Sequence, residues 1–136
     1  MIKKFHGFTF VELMITLSIV AILTIIAFAN YSSSVRQGRR SDAFDAFNGI
    51  SLAEERYRSS NTTYGTLAQV WGGTTTSAGG YYTLSISNVS ATSYTITATA
   101  NSAQANDKEG STTCSPLSFA YSNGAITKSP SVCWPS

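Results

Sequence analysis

Charge and catalytic side chains are what this chain has least of. Only 12% of its 136 residues are charged, and its one histidine, His6, sits within the first seven residues. Two cysteines, Cys114 and Cys133, both lie near the C-terminus. Were the opening MIKKFHG removed and the cysteines oxidised, the usual general base, nucleophile and metal ligand would all be gone. Asp42/Asp45 and Glu54/Glu55 are acidic pairs, but an amphipathic pattern around them reads as solvated or partner-facing surface. There is no G-x-x-x-x-G-K-[ST] loop, so the chain has no nucleotide-driven motor of its own. The expectation is a protein that is not an enzyme, with no cofactor and no metal.

Net charge is also scarce. Nine Lys and Arg face seven Asp and Glu, and leaving out Lys3 and Lys4 of the opening segment makes it seven against seven. Bulk charge therefore makes no case for nucleic acid or a membrane surface. What the chain does have is a long apolar run over residues 8–29, interrupted by Glu12, followed by a Ser/Thr/Gly/Ala-rich C-terminal half. At a rise of ~1.5 Å per residue the run spans roughly 33 Å, about one hydrocarbon core.

Three readings of this run compete. A secretory signal peptide would use Lys3 and Lys4 as its basic region and Ala27-Phe28-Ala29 as a cleavage site before Asn30. Against it, the run is longer than the ~7–15 residues of an ordinary signal core and contains a carboxylate. A plain membrane anchor would hold Lys3 and Lys4 in the cytoplasm and merely tolerate Glu12 one turn from the interface. The third reading accounts for Glu12. "GFTFVE", from Gly7 to Glu12, resembles the signal of type IV prepilins: a short basic leader ending in Gly, then Phe, then Glu four residues on. The resemblance implies that a prepilin peptidase cuts between Gly7 and Phe8, that the new Phe8 amine is N-methylated, and that residues 8–29 are kept. They would anchor the subunit in the inner membrane, N-terminus cytoplasmic, and later pack in the core of an extracellular filament. A lone carboxylate in hydrocarbon costs on the order of 2.5–3.5 kcal/mol. Pairing Glu12 with the Phe8 amine of a neighbouring subunit would remove much of that, which gives Glu12 an assembly role.

Beyond the apolar run, Phe44, Phe47, Ile50, Ala53 and Tyr57 recur at spacings of three and four, one face of an amphipathic helix. The expectation is one helix over residues 8–58, apolar in its first half (8–29) and amphipathic in its second (30–58). Gly49 within it costs ~1 kcal/mol relative to Ala. "RRSDAFDAFNGISLAEERYRSSNTTYG" resembles the helix end of PilE-like type IVa pilins. Many relatives carry a helix-breaking proline near the end of the apolar run; here the chain reads Ile26-Ala27-Phe28-Ala29, which removes that reason for the helix to melt.

Residues 59–80 read as a loop over the helix, punctuated by glycine pairs and pinned by Tyr64, Leu67, Val70 and Trp71. Residues 81–87 and 94–100 alternate as strands, with Tyr82, Leu84 and Ile86 on one face of the first and Tyr94, Ile96 and Ala98 on one face of the second. Residues 101–113 are polar and read as an exposed loop. Residues 117–121 alternate again, and Asn123-Gly124 is a two-residue hairpin signal leading into 125–128. The fold class is α+β: the long helix packed on an antiparallel meander of about four strands over residues 81–136, with a C-terminal disulfide loop. Two cysteines allow one intramolecular pair, the alternative being two unrelated buried thiols. The resemblance implies the pair, since Cys114 to Cys133 corresponds to the disulfide-bounded D-region of pilins; a loop of that size contributes ~3 kcal/mol.

The function this implies is a structural subunit, major or minor, of a type IV pilus serving adhesion, twitching motility or DNA uptake. Its partners would be other pilin subunits, the prepilin peptidase, the inner-membrane assembly machinery and, before assembly, the inner membrane. A second function is a DNA receptor at the pilus, as some relatives are. Arg36, Arg39 and Arg40 form the one basic cluster, and Lys108 and Lys128 stand alone. DNA affinity needs several phosphate contacts at once, so DNA ranks below pairing of these arginines with acids of neighbouring subunits. A secretion pseudopilin is a third possibility, which the expected disulfide loop disfavours. Asn61-Thr62-Thr63 and Asn88-Val89-Ser90 match glycosylation sequons, a pattern short enough to arise by chance.

Overall fold

The computed structural model describes residues 7–135. Lys3, Lys4 and His6 of the leader lie outside the described residues. The chain divides into two units, Met1–Ser34 and Val35–Ser136. Helix α1 spans Phe10–Ser60. It starts two residues later than the sequence pattern suggests because Thr9 caps it. The Thr9 Oγ1 accepts the Glu12 backbone N–H at 3.2 Å, and the Thr9 carbonyl accepts the Leu13 N–H at 3.1 Å. The backbone is helical through Ile26-Ala27-Phe28-Ala29.

In the first unit every described side chain from Phe8 to Phe28 is exposed, apolar ones on all sides of the helix. A helix apolar all round is covered by lipid or by other helices. Its few hydroxyls fit such surroundings. Thr16, Ser18 and Thr24 return their O–H groups to the carbonyls of Leu13, Met14 and Val20, at 2.8, 2.8 and 2.7 Å. None of the three therefore needs water.

The second unit, the head, has its own core. Strands β1 (Tyr82–Ser87) and β2 (Ser93–Ala100) pair antiparallel, with Leu84 opposite Ala98 and Ile86 opposite Ile96. A two-residue ladder of β3 (Lys108–Glu109) and β4 (Thr112–Thr113) follows. Then come β5 (Leu117–Ser122) and β6 (Ala125–Ser129), giving a four-stranded sheet in the order β1-β2-β5-β6, all antiparallel. Asn123 and Gly124 have φ of 50° and 86°. Two consecutive left-handed residues make the β5–β6 turn the tight kind that an Asn-Gly pair favours. Cys114 and Cys133 are bonded, bracketing this hairpin.

The sheet's inner face carries Tyr82, Leu84, Tyr94, Ile96, Ala98, Leu117 and Phe119, all buried against Ala43, Ala46, Phe47 and Ile50 of α1. Each large side chain so buried contributes about 1.5–3 kcal/mol. Aromatic rings continue the core: Tyr64 lies 4.8 Å from Tyr94, Tyr94 5.3 Å from Tyr121, and Phe47 5.1 Å from Trp134. Leu67, Val70 and Trp71 pack against its edge, as Tyr64 does more deeply, pinning residues 59–80 as the sequence suggested. A short helix α2 (Leu67–Val70) forms within them.

Two features of the head differ from expectation. The buried stripe of α1 is rotated, running through Arg40, Ala43, Phe47, Ile50 and Glu54, with Phe44, Ala53 and Tyr57 only half-buried. Glu54 is therefore not surface; it is fully buried, and its Oε2 accepts the Gly65 backbone N–H at 2.7 Å. Nor are residues 101–113 simply an exposed loop. A 3-10 turn over Ser102–Asn106 and the β3–β4 ladder fold Gln104 and Asp107 inward. Arg40 sits on the buried stripe and needs counter-ions there. Gly49 also has a reason: an added Cβ would lie 2.7 Å from the Trp71 ring.

Candidate functional site

Two places in the described chain carry charge where the fold makes it matter. At the start of α1, Gly7, Phe8 and Thr9 are non-helical and exposed, and Glu12 occupies the first helical turn. A carboxylate there is favoured by the unpaired N–H groups of the turn. The Glu12 side chain is exposed, and among the described residues no cation pairs with it.

The second place is in the head, around Arg40. The sequence offered this residue for contact with a subunit or DNA; the fold buries it, at 6% exposure, and pairs it within the chain. Its Nε and Nη2 donate to the Asp107 carboxylate at 2.5 and 3.0 Å, and its Nη1 donates to Glu109 at 2.9 Å. Asp107 is 1% exposed. The hydrogen bond to Asp107 raises the Arg40 pKa above its ordinary value, against the opposing effect of burial and with help from Glu109. Gln104 completes the knot: its Nε2 donates to the Arg36 carbonyl and the Tyr82 hydroxyl, both at 2.9 Å. Burial pushes the Tyr82 hydroxyl up as well.

The backbones of other cationic residues adjoin this knot. Arg36 is tied to it through its carbonyl, Arg39 is next in sequence to Arg40, and the Lys108 carbonyl accepts from Arg40 Nη2 at 3.1 Å. Arg39 stacks over the Tyr81 ring, 4.5 Å from its centroid. Among the described residues both ion pairs belong to Arg40, so Arg36, Arg39 and Lys108 have no carboxylate partner there. Lys128 stands apart on β6, its Nζ 5.1 Å from the centre of the Trp134 ring. Five of the six head carboxylates accept intrachain hydrogen bonds: Asp42 from Ser77 and Gly79, Glu54 from Gly65, Glu55 from Tyr64, and Asp107 and Glu109 from Arg40. The acids thus serve the fold, while Arg56, Lys108 and Lys128 are exposed and Arg36, Arg39 and Arg58 half-buried.

Sequence reasoning missed Tyr81, Gln104 and Trp134. Only Trp134 carried a signal, as an aromatic residue next to Cys133. Among the described residues no three His, Cys, Asp or Glu side chains come together as metal ligands.

No curated protein matches the chain. Two family models do. Residues 2–28 match the prokaryotic N-terminal methylation motif. Residues 29–118, more than half of the chain, match the family described as type IV minor pilin ComP, DNA uptake sequence receptor. Pilin families are structural rather than enzymatic, and the methylation motif on an apolar helix fits a membrane-anchored pilin. The long apolar-then-amphipathic helix, the four-stranded antiparallel sheet and the Cys114–Cys133 staple agree with both matches, and the chain belongs to the type IV pilins, in the ComP minor-pilin family.

Proposed function

We propose that this chain is a minor subunit of a type IV pilus whose head binds duplex DNA. The leader is removed between Gly7 and Phe8, the Phe8 amine is N-methylated, and residues 8–29 hold the subunit first in the inner membrane and then in the filament. Glu12 has no cation partner among the described residues of its own chain, which supports pairing with the Phe8 amine of an adjacent subunit. The other partners are the prepilin peptidase, the assembly machinery and the remaining pilin subunits. No catalytic step is assigned to the chain.

The observation that carries the DNA part is that Arg36, Arg39 and Lys108, whose backbones adjoin the buried Arg40–Asp107 pair, each lack a carboxylate partner among the described residues. The sequence alone ranked DNA below subunit pairing because the cations looked few and scattered. Five head carboxylates accept hydrogen bonds within the fold, and these three cations are left without a carboxylate partner among the described residues. Phosphate contacts can then be made together, and the family match favours the same reading. Fluorescence anisotropy of a labelled duplex with the full chain in detergent, across a salt series, tests it. Log affinity should fall with log salt with a slope of about −3, from ~0.9 per phosphate neutralised. Binding that is absent, or indifferent to salt, would remove DNA from the function. Mass spectrometry of the exported chain tests the N-terminus: N-methylated Phe8 is expected, and a start at Asn30 would establish a cleaved secretory signal instead.

A further inference from the structure

We infer that Arg39 and Tyr81 form a preorganised cleft that grips one phosphodiester group of the DNA backbone, contributing affinity and register but no base readout. The inference rests on the DNA reading above and locates one of its contacts. The cleft has a volume of about 240 Å³ and is walled by Arg39, Gly79, Gly80, Tyr81, Ser102 and Gln104. Pockets that enclose a free small molecule run to ~300–1,000 Å³; this one suits a small group projecting from a larger partner.

Its two lips are tied together. The Asn101 N–H donates to the Tyr81 carbonyl at 2.8 Å, and Asn101 Nδ2 donates to the Gly80 carbonyl at 3.2 Å. Gly80, with a φ of 75°, makes the turn that brings residues 79–81 against 101–104. Glycine takes that left-handed conformation without steric cost. The Tyr81 ring covers one face of the Arg39 guanidinium, leaving its N–H edge to meet an oxyanion in the plane of the fork. The nearest acid on the helix, Asp42, keeps its charge but makes no ion pair with Arg39: its carboxylate accepts from Ser77 Oγ, the Gly79 N–H and, at 3.4 Å, the Tyr81 N–H. On the opposite wall Gln104 keeps a buried Oε1 with no donor among the described residues. Its amide is oriented by Nε2, which donates to the Arg36 carbonyl, so Oε1 remains an acceptor.

The test compares wild-type, Arg39→Ala, Arg39→Lys and Arg56→Ala chains, full-length in detergent, on two duplexes of unrelated sequence across a salt series. Arg56 is a control, about 26 Å further along the helix at ~1.5 Å per residue. One phosphate contact contributes a salt slope of ~0.9, which at ~0.15 M salt corresponds to about fivefold in affinity. Arg39→Ala should therefore weaken both duplexes about fivefold and reduce the slope by about one. Arg39→Lys, which keeps the charge, should restore the slope, and Arg56→Ala should change neither quantity. If the wild type binds and Arg39→Ala keeps its slope and affinity, the cleft is overturned while the DNA reading stands. A loss confined to one duplex would mean base readout and overturn the phosphate assignment. If the wild type itself shows no salt-dependent binding, the function reading fails and this contact with it.

Discussion

Replacing Arg40 by alanine should damage the head's stability far more than any loss of a surface cation. Asp107 is buried at 1% exposure and receives two bonds from the Arg40 guanidinium, at 2.5 and 3.0 Å. Without Arg40 its side chain keeps, among the described residues, a long contact from Gln104 Nε2 at 3.4 Å. Removing one side of a buried ion pair strands the other charge and typically costs ~3–5 kcal/mol. For a unit of this size ~1 kcal/mol moves the melting temperature by about 4–8 °C, so a drop of roughly 12 °C or more is expected. Asp107→Ala should cost less, about 2 kcal/mol, because Arg40 keeps Glu109 at 2.9 Å and the Lys108 carbonyl at 3.1 Å. Changing Arg40 and Asp107 to Ala together should cost less than the sum of the two single changes, since neither member of the pair is left as a stranded charge. Urea unfolding of a soluble head beginning at Asn30, for wild type, both single variants and the double variant, supplies all four free energies. Arg40→Ala within ~1 kcal/mol of wild type would refute the reasoning, because surface charges cost no more than that.

Three other outcomes follow from the head's interior. Burial raises the Glu54 pKa above its ordinary value, opposed in part by the Gly65 N–H, so the folded head binds this proton more tightly than the unfolded chain. Its contribution to stability is then full below the unfolded value, near ~4.3, and is lost as pH rises through the folded value. Glu54→Gln should flatten that part of the stability–pH curve, and parallel curves for the two proteins would count against a buried carboxylate. Gly49→Ala should destabilise, because the added Cβ meets Trp71 at 2.7 Å. That clash outweighs the ~1 kcal/mol of helix propensity gained; in a Trp71→Leu background the sign should reverse, and a stabilising effect with Trp71 present would contradict the packing. Cys133→Ala should cost ~2–5 kcal/mol through loss of the Cys114–Cys133 bond. Thermal melts with and without reductant check this, and coincident melts would show that the bond adds nothing.

What the sequence revealed and what it hid divide along a physical line. The strand faces Tyr82-Leu84-Ile86 and Tyr94-Ile96-Ala98 were legible because a half-buried strand has a period of two. Asn123-Gly124 was legible because the turn needs two left-handed residues. Arg40 and Glu54 were not. A hydrophobic period counts both as polar, and nothing local says that Asp107 or the Gly65 N–H will reach them. The small Ala43 and Ala46 give little hydrophobic signal, so the inner face of the helix was read one step round, through Phe44, Ala53 and Tyr57. Gly49 looked like a defect until Trp71 occupied the space above it. The lack of acid partners for Arg36, Arg39 and Lys108 was hidden for the same reason as the knot. Which cations are left without an acid is decided by contacts between α1 and residues 104–109, far apart in the chain.

The central claim is that this pilin, carried in the filament through its N-terminal helix, gives the pilus its grip on DNA. The most direct measurement is retention of a labelled duplex by sheared pili from three sources: wild-type cells, cells lacking the chain, and cells carrying Glu12→Ala. Removing Glu12 would strand the neighbouring Phe8 amine in the filament core, a loss of ~3–5 kcal/mol. Glu12→Ala should therefore still be cleaved and inserted in the membrane but enter pili poorly. Wild-type pili should retain DNA in a salt-sensitive way, and the other two should retain little, with the Glu12→Ala chain left in the inner membrane. Equal retention by all three would contradict the account.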